Sequence, residues 1–265
     1  MSSLGLAAFN DDDVEQAKQW WRQASDAGDD PSARNLWIIA AREGDTDGER
    51  AWWDRAIELG STDAIYERGV SLENEGDLDG ARELYERGAG TGSATCRRAL
   101  GVVALRQGHT ETGLTHLRLA ADEDEPAALR VLGMMTEEQN EKIALLTRAA
   151  DLGDAISMDF LGNVAIQEER PGDAQMWWER AAELGCADSF ASLGHWAYVR
   201  DDIEGAITYW DRGIAVDPNH AWCNYSRGRY GIERGDDATE MRDMVVRAAN
   251  LGLAEAVTFL EEHAE

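Results

Sequence analysis

The sequence AKQWWRQASDAG, residues 17–28, is the first of eight similar segments along this chain of 265 residues. Most segments carry a central pair of bulky residues, often aromatic, with small residues three or four positions away on both sides. The segments end at Gly28, Gly60, Gly92, Asp124, Gly153, Gly185, Asp217 and Gly252. These end residues are separated by 32, 32, 32, 29, 32, 32 and 35 residues. A period of this length is the signature of stacked supersecondary units.

Each repeat also has a first half, which is marked by a glycine. This glycine stands 16 residues before the second member of the bulky pair at Gly5, Gly69, Gly101, Gly162 and Gly194, and Trp37 takes its place in the second repeat. Turn sequences separate the two halves at residues 43–45, 75–77, 107–109, 171–173 and 234–236. Glycine ends a helix in the left-handed conformation, and a following Asp or Thr caps the next helix. Each unit is therefore predicted to be helix, turn, helix, turn.

In the second half of each repeat, the small and bulky residues form a stripe along one face of the predicted helix. In the first repeat this stripe is formed by Ala17, the pair Trp20–Trp21 and Ala24, which are three to four residues apart. The spacing predicts that large rings fill the space between neighbouring helices while the small residues let the backbones approach. A ligand cage is the alternative for such a stripe, but recurrence at equivalent positions favours a core.

The repeat pattern resembles the tetratricopeptide and Sel-like repeat families over essentially the whole chain. The sequence DPNHAW at residues 217–222 is similar to a tetratricopeptide junction, and WWERAAELGCA at 177–187 is closer to the Sel-like pattern. The resemblance implies an all-α solenoid of about eight antiparallel helix hairpins, wound as a right-handed superhelix, with a C-terminal capping helix and 17 helices in total. We expect a single domain, residues 1–265. Its repeats are predicted at 1–28, 29–60, 61–92, 93–124, 125–153, 154–185, 186–217 and 218–252, followed by the cap at 253–265.

Charge and composition restrict the partners. The formal net charge is −27, from 52 acidic against 25 basic side chains. Nucleic acid and membrane surfaces are therefore not expected as ligands, because both require a basic surface. Three distant cysteines without a CxxC pair favour neither a disulfide nor a zinc site. The first residues lack a basic segment, and no apolar run reaches the length of a membrane span, so we expect a cytoplasmic protein.

The first helices of such arrays line the concave face, as the resemblance implies. In the N-terminal half this face is predicted to hold several arginines and one tyrosine beside apolar residues. These side chains are Arg34, Arg42, Tyr66, Arg98, Arg106 and Arg130. One hypothesis is a groove that binds an acidic segment or C-terminal carboxylate through bidentate guanidinium contacts. The alternative is that the arginines pair with acidic residues of neighbouring repeats and only hold the array together.

The C-terminal half of the same face is predicted to be aromatic and polar. Its candidate residues are Asp159, Asn163, His195, Tyr198, Trp222 and Tyr225. They form either a second contact region or a filled inner face. Asn163 would fit the asparagine of the carboxylate clamp found in the tetratricopeptide family, but the lysines and arginines of a clamp are missing.

Catalytic and metal-binding patterns are weak. Two turns that start at Glu43 and Glu75 resemble calcium loops, but both begin with glutamate and lie one repeat apart, so shared turn chemistry explains them better. The histidines have no paired ligand spacing, and no nucleophile or phosphate-binding motif is present. We therefore expect no enzyme activity, no cofactor and no metal site.

The sequence predicts a protein–protein interaction scaffold or adaptor that binds a peptide or partner protein on its concave face. The alternative is a chaperone-like holder, or an acidic mimic, which binds a basic client through its acidic surface. Salt distinguishes them, because binding through the acidic exterior should weaken steeply above ~0.15 M ionic strength.

Overall fold

The computed structural model describes residues 1–236 and 238–263, and this part of the chain contains 17 α-helices and no strand. Two compact units divide the chain, Met1–Ala128 and Leu129–Glu265. In each unit, two consecutive helices form a hairpin and neighbouring hairpins pack side by side. The predicted all-α fold of stacked helix hairpins is confirmed.

The first unit contains four hairpins. Its helices are α1 Ser2–Asn10, α2 Val14–Asp26, α3 Asp30–Glu43, α4 Thr46–Glu58, α5 Thr62–Glu75, α6 Leu78–Gly90, α7 Ala94–Arg106 and α8 Thr110–Asp122. Helix α9, Pro126–Met135, begins at the end of this unit. The helices that follow in the second unit are α10 Gln139–Asp151, α11 Ala155–Gln167, α12 Pro171–Glu183, α13 Ala187–Val199, α14 Ile203–Val216, α15 Ala221–Arg234, α16 Ala238–Asn250 and α17 Ala254–Glu262.

The residues that end the repeats set the direction of the chain between hairpins. Gly28 and Gly185 have φ values of 96° and 81°, in the left-handed region that glycine adopts without strain. Asp124 takes the same conformation with a φ of 58°. Asp217 differs, because its φ is −132° and Pro218 follows it. The junction at Asp217 therefore uses an extended residue where the other repeats use a left-handed one.

One predicted turn is wrong. Residues 171–173 were expected to separate two helices, but Pro171 is the first residue of α12 and Gly172 lies inside that helix. The left-handed residue of this turn is Glu169, with a φ of 57°. Proline suits the first helical position, since its φ is already helical and its missing N–H has no partner there.

The bulky rings pack directly against the repeat glycines. Trp21 lies on Gly5, Tyr85 on Gly69, and Trp178 on Gly162, each so close that a Cβ on the glycine would lie within 2.4 Å of a ring atom. In the second repeat Trp37 replaces the glycine, and Trp53 stacks on it with ring centroids 4.8 Å apart. The second member of each pair is buried in the core, whereas the first members Trp20, Trp52 and Trp177 are half-buried.

The last helix covers the end of the second unit. Ala256 and Phe259 of α17 are buried, and the Phe259 ring lies 6.3 Å from that of Tyr225. The outer residues of this helix are exposed, as a capping helix requires. The final residues of the predicted cap, Ala264 and Glu265, lie outside the described residues. Over residues 1–236 and 238–263, none of the helices has the length and apolar composition that a membrane crossing requires.

Candidate functional site

A cavity of about 590 Å³ opens on the first-helix face of the second unit. Its walls come from α11, α13 and α15, with Trp210 of α14 and Glu255 of α17. The aromatic members of the wall are Tyr198, Trp210, Trp222, Tyr225 and Tyr230. The charged members are Asp159, Asp188, Arg229, Glu233 and Glu255. A volume of this size matches the usual range for a ligand site.

All six candidate residues predicted for the C-terminal half line this cavity, and one of them is Trp222 at the start of α15. The other five are Asp159, Asn163, His195, Tyr198 and Tyr225. They come from three helices of successive repeats, at positions three before, one after or four after the repeat glycine. Residues three or four apart share one face of a helix. Stacking the hairpins then places the equivalent faces of α11, α13 and α15 side by side.

The aromatic wall consists of two groups. The Tyr198 ring lies 6.1 Å from that of Trp210 and 5.9 Å from that of Tyr230, the latter in an edge-to-face arrangement. Trp222 and Tyr225 form the second group, also edge to face, at 6.1 Å. Tyr198 and Trp222 remain 37% and 45% exposed, although large aromatic side chains are usually covered in a monomer. The cavity therefore offers aromatic surface to a ligand.

A carboxylate lies at the α11 side of the cavity. Asp159 Oδ1 accepts a hydrogen bond of 2.7 Å from Ser189 Oγ, and Oδ2 accepts one of 3.1 Å from Asn163 Nδ2. Burial raises the pKa of the Asp159 carboxyl above its ordinary value, and the nearby Asp188 adds to this, while the two hydrogen bonds oppose it. Among the residues that the structure describes, no cationic side chain lies within hydrogen-bond distance of this carboxylate, so its charge is poorly compensated by the folded chain.

A second carboxylate, Asp188, is linked to the start of α15. His220 Nε2 lies 3.0 Å from Asp188 Oδ1, and His220 Nδ1 accepts a hydrogen bond of 3.2 Å from the backbone N–H of Cys223. With Nδ1 as an acceptor, Nε2 is the nitrogen that donates to Asp188. This hydrogen bond lowers the pKa of the Asp188 carboxyl.

The Arg229 guanidinium, which lines the cavity, already has an acidic partner. Arg229 Nε donates to Glu233 Oε1 at 2.9 Å within α15. That pair is close to neutral, and the remaining charges of the wall are the carboxylates of Asp159, Asp188 and Glu255. The cavity is thus acidic as well as aromatic.

A second cavity of about 510 Å³ continues the first along α15 and α17. The two cavities share Tyr225, Arg229, Glu233 and Glu255. The second cavity adds residues of the capping helix, including Thr258 and Glu262. Together they form a continuous groove across the first-helix face of the second unit, which we call the C-terminal groove.

The arginines predicted for the N-terminal half have acidic neighbours. Ion pairs join Arg34 to Glu67, Arg98 to Glu125 and Arg106 to Glu73 in the first unit, and Arg130 to Asp154 in the second. Arg98 also donates to the Tyr66 hydroxyl at 3.0 Å and lies over the Tyr66 ring. Arg42 is exposed at the end of α3. These contacts support pairing between neighbouring repeats, which was one of the two hypotheses for the arginines.

The Arg98→Met protein is expected to lose about 1 kcal/mol of unfolding free energy, because Glu125 then keeps its charge without its guanidinium partner. Methionine retains most of the apolar contact with Tyr66. Chemical unfolding of Arg98→Met, Glu125→Gln and the double variant measures the coupling between the two side chains. No coupling energy in that cycle would show that the pair does not stabilise the first unit.

The Asp159→Asn protein is expected to be more stable than the parent at neutral pH. The folded-state pKa of Asp159 lies above its unfolded-state value, so ionisation of this carboxyl destabilises the fold. The gain should shrink as the pH falls and vanish at about pH 3, where the carboxyl is protonated in both states. Urea midpoints measured across this pH range test the expectation. A variant that is equally or less stable at neutral pH would contradict it.

The two turns that resemble calcium loops serve as helix caps. Asp45 Oδ1 accepts from the Gly48 N–H at 3.0 Å, and Asp77 Oδ1 accepts from the Gly80 N–H at 2.9 Å. Within the part of the chain that the structure describes, no group of three His, Cys, Asp or Glu side chains is placed to hold a metal ion.

Several residues of the cavity were not predicted from the sequence. They are Asp188, Ser192, Trp210, Ser226, Tyr230 and Glu255. Helical spacing could have identified Asp188, which lies six residues before Gly194. It stands about one helical turn before the position three residues ahead of the repeat glycine, so the two share one face of the helix. Glu255 gave no such signal, because it reaches the cavity through the packing of the capping helix.

The hairpins stack side by side, and in several of them a bulky ring packs directly on a glycine. This arrangement defines a helical-repeat protein with the tetratricopeptide and Sel-like fold. No protein-family model matches the sequence. The curated proteins contain no match either.

Solved structures show the same fold at low sequence identity. The chain is similar to a Sel1 repeat protein from Oxalobacter formigenes, with a TM-score of 0.66 and 16% identity over 84% of this chain and 100% of the other. It is similar to c5321, a protective antigen of uropathogenic Escherichia coli with an SLR fold, at a TM-score of 0.55 and 21% identity over 95% of this chain. The match spans 61% of the length of c5321. A third match is the APC/C hetero-tetramer Cut9–Hcn1, with a TM-score of 0.53 and 16% identity, covering 80% of this chain and 46% of that one.

Proposed function

We propose that this protein is a protein–protein interaction scaffold that binds a peptide segment of a partner in the C-terminal groove. The observation that carries the proposal is the cavity of about 590 Å³, with exposed aromatic rings on a face built from rigid helices. Helical-repeat folds present extended binding surfaces of this kind. One protein of this fold, in the Cut9–Hcn1 structure, is part of a hetero-tetramer.

The groove suits an extended segment better than a compact small molecule. Two adjoining cavities share one wall along α15, so a bound chain can run from α11 to α17. Tyr198 and Trp222 supply the large and rigid contact area that typifies binding hot spots. A preformed groove also limits the entropy that is lost on association.

The N-terminal arginine face remains a proposal for an acidic segment. Its guanidinium groups would have to exchange Glu67, Glu73 and Glu125 for the carboxylates of a ligand. Such an exchange gains little, because each new ion pair replaces an existing one. Over the residues that the structure describes, no ion pair has to be broken to reach the exposed rings of Tyr198 and Trp222, and for this reason we favour the C-terminal groove as the binding surface.

A library of immobilised random nonapeptides tests the proposal. The parent protein is expected to bind a subset of the peptides, and Trp222→Ala should weaken that binding at least about tenfold. Met176→Ala is the matched control, since Met176 is also 45% exposed but lies on α12, away from the cavity. Binding should be unchanged in this control.

Two results would overturn the proposal. One is that the library yields no bound peptide. The other is that the bound peptides are retained by Trp222→Ala and lost in a variant that combines Arg98→Met with Arg106→Gln. The latter result would move the binding surface to the arginine face of the first unit.

A further inference from the structure

We infer that the C-terminal groove selects a basic segment, in which a lysine or arginine side chain lies against the aromatic rings beside Asp159. This inference rests on the proposed function and adds the chemistry of the ligand. The first support is the combination of five aromatic side chains and three carboxylates in one cavity. Asp188 has the imidazole of His220 as its partner, and within the described part of the chain Asp159 and Glu255 make no ion pair with a lysine or arginine. Aromatic faces attract cations, and they do so more strongly where water is displaced.

The carboxylates come from three directions. Asp159 lies on α11, Asp188 on α13 and Glu255 on α17, so a cation in the cavity is approached by negative charge from several sides. Arg229 does not cancel this charge, because it is held by Glu233. Among the described residues of the wall, the uncompensated charge is therefore negative.

Other classes of ligand fit less well. An apolar segment would remove water from the carboxylates without giving them a partner, which is unfavourable. An acidic segment would be repelled by the same carboxylates. A cationic side chain satisfies both the rings and the carboxylates at once, and a guanidinium can also stack on an aromatic face.

The burial of Asp159 is consistent with a ligand that supplies the missing positive charge. Within the described part of the chain, its oxygens accept hydrogen bonds from the neutral side chains of Ser189 and Asn163, and burial raises its pKa. A carboxyl in this setting is costly to the unliganded fold. A bound cation would remove that cost, so the ionised Asp159 is more favourable in the complex than in the free protein.

The test must separate the groove from the acidic surface as a whole, because a net charge of −27 attracts any basic peptide weakly. The probes are three capped peptides of alanine and glycine. One carries two central arginines, one carries two citrullines, which are neutral and of nearly the same shape, and one carries two glutamates. Affinities are measured by calorimetry at about 0.15 M salt, where attraction between distant surface charges is screened.

The arginine peptide is expected to bind at least about tenfold more tightly than the citrulline peptide, and the glutamate peptide should not bind. Asp159→Asn and Glu255→Gln should each weaken the arginine peptide and leave the citrulline peptide unchanged. Glu179→Gln, which removes an exposed carboxylate from α12, is the matched control and should have no effect. Trp222→Ala should abolish the advantage of arginine over citrulline.

The outcomes distinguish the two proposals. Equal affinity for the arginine and citrulline peptides, with both lost in Trp222→Ala, overturns the selection of cations and leaves the peptide groove intact. Arginine binding that is retained in Trp222→Ala shows attraction to the general surface and also overturns the inference. A nonapeptide library without any bound peptide removes the proposed function and this inference together.

Discussion

The Trp178→Ala protein is expected to lose about 3–5 kcal/mol of unfolding free energy, the usual cost of removing a buried tryptophan. The Trp178 side chain is 5% exposed and fills the space between α11, α12 and α13. It belongs to one buried cluster with Ala174, Phe190 and Leu193, and its ring lies on Gly162. Neighbouring hairpins share this contact, so the loss should be felt across the second unit.

Urea unfolding followed by far-ultraviolet circular dichroism measures the loss. Because repeat arrays can unfold in parts, hydrogen exchange of the α11–α13 amides should be measured as well. Trp177→Ala is the matched control, since Trp177 is the half-buried neighbour and its ring lies under the Arg180 guanidinium at 4.7 Å. An equal loss in both variants would mean that the second member of the pair is not the principal core residue.

The Gly69→Ala protein is expected to be destabilised by about 2–3 kcal/mol, although alanine usually strengthens a helix relative to glycine. A Cβ at this position would lie 2.2 Å from Cε1 of Tyr85. The Tyr85 ring is fully buried, and its hydroxyl donates a 2.7 Å hydrogen bond to Glu73. The ring is therefore fixed at both ends and cannot move aside without losing contacts.

The same substitution at Gly90 provides the control, because a Cβ there meets no atom within 4 Å. Gly90→Ala is expected to be neutral or to gain up to about 1 kcal/mol through helix propensity. Thermal unfolding of both variants shows the sign of each effect. If Gly69→Ala were as stable as Gly90→Ala, a glycine at position 69 would not be needed for the close contact between the two helices of the repeat.

The fold was accessible from sequence because its evidence is repeated. A single Trp20–Trp21 pair would not have distinguished a core from a ligand cage, but its recurrence at a period near 32 residues did. The spacing of 16 residues between Gly162 and Trp178 is a contact in space, because one hairpin brings the two together. The turn at Pro171 was misplaced by the same reasoning, since glycine was given more weight than the preference of proline for the first helical position.

The candidate site was only partly accessible. Asn163, His195, Tyr198 and Tyr225 could be grouped because they occupy equivalent faces of successive first helices. For the arginines, the sequence left two hypotheses open, and the ion pairs of Arg34 and Arg98 support one of them. Partner choice between oppositely charged side chains depends on distances of a few ångströms, which helical periodicity does not specify.

Local sequence alone was sufficient for the helices, for most of the turns and for the residues that face the core. Each depends on neighbours within one or two helical turns, such as Asp45 capping α4 or Gly28 ending a repeat. Tertiary packing was needed for the cavity, for the burial of Asp159 and for the approach of Glu255. These properties arise where three hairpins and the last helix meet, and the free energy of a charge there depends on groups that are distant along the chain.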